Sequence, residues 1–227
     1  MTLSGQVTRD QQSIHETETK GHYRNNVSDF PFKKQYSLPM VFNLLYPRRM
    51  DSYQIRVFGD PVLKRVAEDI EEIDGDLVKT CDRMLQTMYG APGIGLAAPQ
   101  VGISKRFFVY DYGDGPKVLI NPVIKESQGE WEYEEGCLSV PGLSWNIVRP
   151  KMIHLIGFDL DGNELSIEAD ELESRLFQHE MDHLDGRLLL EYLDDSQRSE
   201  AKKFLRQRMM ELEEQKNPLS SEFNGLT

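Results

Sequence analysis

The sequence predicts an α+β fold, in which short antiparallel or mixed strands pack around one central helix between flanking N- and C-terminal helices. Three observations predict it. Apolar residues at helical spacing come early (Leu77, Val78, Cys81, Met84, Leu85, Met88), and short apolar runs with hairpin signals fill the middle. Helical spacing then returns near the end. Helices, then strands, then helices is not the alternation that builds a parallel βαβ sheet.

In chain order, Asp60 with Pro61 behind it predicts a capped helix running to about Ile70. Asp74 and Asp76 open a second helix, which Gly90 ends. Cys81 sits inside that helix's apolar stripe, so it belongs to the core. Residues 105–111 and 117–125 read as strands with the turn Gly113–Pro116 between them. A further strand spans 130–134, and two more, near 151–159 and 164–169, flank the hairpin signal Asp161-Gly162. The central helix follows from Asp170, and a last one runs from about Ser196 to Gln215.

Length and charge bound the rest. A chain of 227 residues suits one domain with appendages. Its net charge of −12 disfavours DNA as a partner. Two cysteines fit a reducing compartment, and neither a membrane-length apolar run nor a signal-peptide core is present, so a cytoplasmic location is expected. Residues 1–50 carry seven Lys/Arg against four Asp/Glu, net +3, which leaves −15 on the other 177. That leader is polar and aperiodic and reads as a largely disordered extension, with Met50 an alternative start. Acidic residues between Asp10 and Asp29 argue against a transit peptide. The expected divisions are this extension, a catalytic domain over 51–195, a C-terminal helix over 196–216 and a flexible tail over 217–227.

The chemistry concentrates in Gln178-His179-Glu180-Met181-Asp182-His183. Histidines four apart lie one helical turn apart on one face, so both rings can reach one metal ion. Glu180 projects away from them, near enough to touch a water on that ion. Leu172 and Leu176 continue the same stripe. Cys137 lies in a glycine-flanked segment, and a thiolate with two imidazoles makes a three-ligand set with one position left open. A closed structural site would need a fourth ligand. The remaining candidates are Cys81, in its helix stripe, and His154, which reads as an ordinary strand histidine. Gly93-Ile94-Gly95 lacks the context of a dinucleotide loop, since Pro99 and then a strand follow it.

Three segments, Gly93-Ile94-Gly95-Leu96-Ala97-Ala98-Pro99-Gln100, Glu135-Gly136-Cys137-Leu138-Ser139 and Gln178-His179-Glu180-Met181-Asp182-His183, resemble the three ordered signatures of the peptide deformylases. The third continues as Leu184-Asp185-Gly186, and Val140-Pro141-Gly142 after the second is similar to the bacterial-type branch. The resemblance spans about residues 51–195. It implies a hydrolase that removes the formyl group from the leading methionine of nascent polypeptides and releases formate. Cys137, His179 and His183 would hold one divalent ion, usually Fe(II), with zinc, nickel or cobalt able to substitute. Glu180 would move the proton of the attacking water. The amide of Gln100 and the backbone N–H of Leu138 would hold the oxyanion, with Gly95 also at the reacting centre. Ile94, Gly95 and Gly136 would offer backbone to an extended substrate, and Leu172, Leu176 and Ile94 a pocket for its methionine. Glu135 and Asp182 would orient ligands. Arg198, Lys202, Lys203, Arg206 and Arg208 make the last helix basic, and in the resembled family this region can dock on the ribosome. Two other readings remain open at this point. The H-E-x-x-H pattern also fits a zinc peptidase, although the extended form needs a histidine where Leu189 stands. The other is a metal-stabilised binding module, which would need neither Glu180 nor Gln100.

Overall fold

The structure is a computed structural model that describes residues 52–216, with side chains to Glu211. The expectations for residues 1–50, including the alternative start, and for the tail 217–227 lie outside the described residues. The elements are β1 (Gly95–Ala97), β2 (Phe107–Tyr110), β3 (Lys117–Gln128), β4 (Trp131–Cys137), β5 (Val140–Arg149), β6 (Met152–Phe158) and β7 (Glu164–Asp170), with helices α1 (Gly75–Gly90), α2 (Glu171–Leu184) and α3 (Asp195–Lys216). Five strands form one antiparallel sheet in the order β1-β2-β3-β6-β7, and β4 and β5 form a separate hairpin. The α+β class is as the sequence predicts, with a single parallel bridge between Glu68 and Lys105 among the described residues.

The short strand β2 shows why the sheet is covered on both sides. Phe108 and Tyr110 point to one face, where they join Leu119, Leu155, Phe177 and Leu184 under α2. Phe107 and Val109 point to the other, against Cys81, Met84 and Met88 of α1. Successive strand side chains alternate sides, so a strand buried on both reads as one continuous apolar run. Phe177 meets Tyr110 edge-on at 5.0 Å and Phe108 at 5.9 Å, an arrangement aromatic rings favour. A third cluster, with Leu63, Val140, Ile147, Leu188, Leu190 and Leu205, ties the β4–β5 hairpin to α3. Helix α2 is thus packed against the sheet and leaves its other side to the hairpin.

The helix expected from Pro61 to Ile70 is not formed. Asp60 does cap, its Oδ1 accepting from the Val62 N–H at 3.0 Å, but only a 3₁₀ turn, Pro61–Lys64, follows. Beyond Lys64 the backbone donors find tertiary partners. Ala67 N–H donates to the Leu184 carbonyl at 2.8 Å, Glu68 N–H to that of Ser104 at 3.0 Å and Ile70 N–H to the Asn121 side chain at 2.8 Å. Tertiary pairing displaces local helical bonding, which sequence propensity cannot weigh. Two strands carried no clear sequence signal, β1 because it has three residues and β5 because its apolar positions alternate around Pro141 and Gly142. β3 runs on to Gln128, past the expected end, with two register shifts against β6 on the way. Among the described residues, no helix is long and apolar enough to cross a membrane.

Candidate active site

Helix α2 carries His179 and His183 on one face, with ring centroids 5.1 Å apart. Cys137 ends β4, where the pairing slips between Gly136 and Cys137, and the slip turns the sulfur toward the helix. Its Sγ lies 3.3 Å from His183 Nε2, and the ligand atoms of Cys137, His179 and His183 all lie within 4.8 Å of one another. Two donors of one tetrahedral ion, each bonded at about 2.0–2.3 Å, stand roughly 3.5 Å apart, so the donor set fits a metal. One buried atom supports that fit: Glu180 Oε2 has no hydrogen-bond partner within the protein. Burial and the neighbouring His179 hold the His183 ring well below its usual pKa, so it is neutral, the form that binds metals. Burial opposes charge on His179 too, but the Cys137 sulfur and Glu135 outweigh it and raise that ring.

Glu135 is the anchor of the set. Its Oε2 lies 3.0 Å from His179 Nδ1, which turns the other ring nitrogen toward the ligand cluster. Arg149 grips the same carboxylate with two bonds, Nε to Oε1 at 2.6 Å and Nη2 to Oε2 at 3.0 Å, and Arg175 Nη1 also donates to Oε1. Burial pushes the Glu135 carboxyl up, but the His179 and Arg149 hydrogen bonds prevail and hold it at about 2. Asp182, between the two histidines in sequence, accepts from Arg149 Nη1 at 2.7 Å. Arg149 and Arg175 have no signature spacing, so no sequence signal marked them as partners of the site.

Glu180 is buried above Gly95. A Cβ at Gly95 would lie 2.5 Å from Glu180 Oε1 and 2.6 Å from Leu176 Cδ1, so only glycine leaves the carboxylate its place. Burial pushes the Glu180 carboxyl up to about 7, against the pull of His179 and the Ala97 N–H. Gln100 is fixed from both ends. Its Oε1 accepts from the Ala97 N–H at 2.8 Å, and its Nε2 donates to Ser139 Oγ at 3.3 Å and lies 3.9 Å from the Cys137 sulfur. Its carbonyl accepts from the Arg56 N–H at 2.7 Å, tying the entering chain to the site.

These groups open onto a cavity of about 710 Å³, whose lining includes Ile94, Gly95, Gln100, Gly136, Cys137, Leu138, Leu172, Leu176, His179 and Glu180. Every site residue expected from the sequence is therefore in one place, with His183 buried just behind. Tyr133, Arg175 and the segment Pro141–Ser144 line the same cavity and were not anticipated. Arg175 lies over the ring of Trp131, which stacks on Tyr133 at 4.7 Å, so alternate residues of β4 make an aromatic wall. His154 bonds to Ser166 Oγ at 2.9 Å, across the β6–β7 pair, and takes no part.

The model of the family described as polypeptide deformylase matches residues 52–199. The peptide deformylase of Agathobacter rectalis is 51% identical over 140 residues, covering 62% of this chain and 89% of its own. That of Thermotoga maritima is 45% identical over 161 residues, covering 70% and 96%. Among solved structures, the peptide deformylase of Ehrlichia chaffeensis in complex with actinonin superposes with a TM-score of 0.68 at 37% identity, covering 70% of this chain and 98% of that one. The Thermotoga maritima enzyme superposes at 0.62 with 46% identity, over 63% and 98%. With this match, the peptidase and binding-module readings fall away: the chain belongs to the polypeptide deformylase family, metal-dependent hydrolases that remove the formyl group from the N-terminal methionine of nascent polypeptides.

Proposed function

We propose that Cys137, His179 and His183 hold the metal, that Fe(II) is the native ion, and that Glu180, Gln100 and Leu138 carry the deformylation. The observation that supports this most is the convergence of one sulfur and two imidazoles beside a buried carboxylate, with Cys137, His179 and Glu180 lining one cavity and His183 Nε2 3.3 Å from the sulfur. When bound, the ion supplies Lewis acidity, which brings water toward ionisation at neutral pH and polarises a carbonyl. Glu180, buried and held near neutrality, takes the proton of the attacking water and returns it to the departing amine. The Gln100 amide, locked by Ala97 and Ser139, and the backbone N–H of Leu138 donate to the oxygen on which charge develops. Gly95 leaves Glu180 room to stand beside the ligand cluster. Ile94, Leu172 and Leu176 form the apolar wall that takes the methionine side chain, and backbone around Ile94 and Gly136 pairs with the extended peptide.

Formate release from a formyl-methionyl peptide tests the assignment. Glu180→Gln should lose about a hundredfold or more in kcat, the usual worth of a positioned acid–base group; unchanged turnover would remove Glu180 from the mechanism. Fe(II) is proposed because thiolate with two imidazoles suits it and because the resembled family uses it. Metal analysis of oxygen-free preparations should find iron tracking activity; full activity in a zinc-only preparation would contradict it. The remaining proposals concern setting. We place the enzyme in the cytoplasm, where nascent chains are made. Lys202, Lys203 and Arg206 line an open concavity on α3, and we assign that face to the ribosome. Reversing these three charges should abolish co-sedimentation with ribosomes; retained co-sedimentation would end the idea.

A further inference from the structure

Arg149 does more than grip Glu135. Its remaining guanidinium nitrogen, Nη1, donates to Asp182 Oδ2 at 2.7 Å and to the Tyr192 hydroxyl at 3.0 Å. That hydroxyl in turn donates to Asp182 Oδ2 at 2.8 Å, while the ring lies against the guanidinium at 4.7 Å. The result is an unbroken path from Tyr192 through Asp182 and Arg149 to Glu135 and so to His179 Nδ1. It joins four pieces of chain: the 3₁₀ turn Leu189–Tyr192, helix α2, strand β5 and strand β4. Arg149 and Arg175 are both buried, and they face the two carboxylates Glu135 and Asp182. Charge is balanced within the cluster, so Glu135 remains a full acceptor for the histidine N–H. Tyr192 is the outer end, 42% exposed, and the group best placed to be changed without disturbing the core.

We infer that Tyr192 and Arg149 are positioning residues for the metal site, acting through Asp182 and Glu135 to fix the orientation of the His179 ring. The inference rests on the ligand set proposed above. A ring held at one angle loses less freedom when a metal binds, so the path should appear in metal affinity itself. A packing role alone would appear in stability and leave affinity unchanged.

The test is zinc affinity of the full chain, made metal-free and titrated in competition with a chromophoric chelator. Wild type should bind one zinc, and His183→Ala should lose that binding; retained binding there would refute the ligand set rather than the path. With that control met, Tyr192→Phe should bind about fivefold more weakly, a part of the roughly tenfold or more that a hydrogen bond to a charged group is worth. Arg149→Lys should lose about ten- to a hundredfold. The double variant Tyr192→Phe/Glu135→Gln should be no weaker than Glu135→Gln alone, because the path is already cut. Tyr192→Phe within twofold of wild type, or a loss that simply adds to that of Glu135→Gln, would overturn the inference. Should Arg149→Lys fail to fold, the isosteric Tyr192→Phe decides the question, with the metal-free unfolding temperature as its check.

Discussion

At the scale of single residues, Gln100 and Gly95 show how backbone and side chain share the work. Gln100 is clamped at its oxygen, so its nitrogen is already aimed when substrate arrives. Gln100→Ala should lower kcat/KM about a hundredfold or more, the usual worth of one oxyanion donor, as read by formate release. Gly95→Ala should cost activity on a similar scale, about a hundredfold, by displacing Glu180 while the protein still folds, because misplacement by about 1 Å is enough. Glu180 also sets a pH signature. Its folded pKa, about 7, lies above the ordinary 4.5, so the folded state holds the proton more tightly. Stability from this group is complete below about pH 4.5 and declines as pH rises toward 7. Glu180→Gln should therefore stabilise the metal-free protein more at pH 8 than at pH 5, by up to about 3 kcal/mol in thermal unfolding. Glu135 runs the opposite way: held at about 2, it contributes stability above about pH 4.5 that is lost as pH falls toward 2.

At the scale of elements, helix α2 serves two masters. One face presents Phe177 and Leu184 to the sheet, the other presents His179 and His183 to Cys137 of the hairpin, and Glu180 stands over Gly95 at the sheet's edge. Phe177→Ala should cost about 3–5 kcal/mol in denaturant unfolding, since a fully buried aromatic ring leaves a cavity that its neighbours fill poorly. The sequence made this helix legible because its chemistry and its apolar stripe share the 3.6-residue period. It also showed α1 and the β6–β7 hairpin, whose caps and turn residues are local. The helix expected after Pro61 failed for the opposite reason. Asp60 and Pro61 are a true local start signal, but the carbonyls of Leu184 and Ser104, distant in sequence, capture the following N–H groups. Strand β5 was hidden because Pro141 and Gly142 resemble a loop, although Gly142 simply takes a left-handed backbone at the cavity rim.

At the scale of the whole molecule, one sheet separates two apolar layers and a hairpin closes over the metal helix. The ligands and Glu180 were legible because ligand spacing and glycine-flanked segments are sequence features. Arg149, Arg175 and Tyr192 were not, because what makes them matter is that Arg149 and Arg175 converge on Glu135 from β5 and α2, and Tyr192 meets Arg149 from the turn after it. Buried arginine–carboxylate contacts depend on where elements meet, which no local pattern encodes. Activity depends on one sulfur and two imidazoles sharing a single ion. X-ray absorption spectroscopy of the metal-loaded protein measures this most directly. The expected shell has one sulfur neighbour at about 2.3 Å together with nitrogen and oxygen neighbours at about 2.0–2.2 Å, the sulfur disappearing in Cys137→Ser. A coordination shell with no sulfur in the unaltered protein would contradict it.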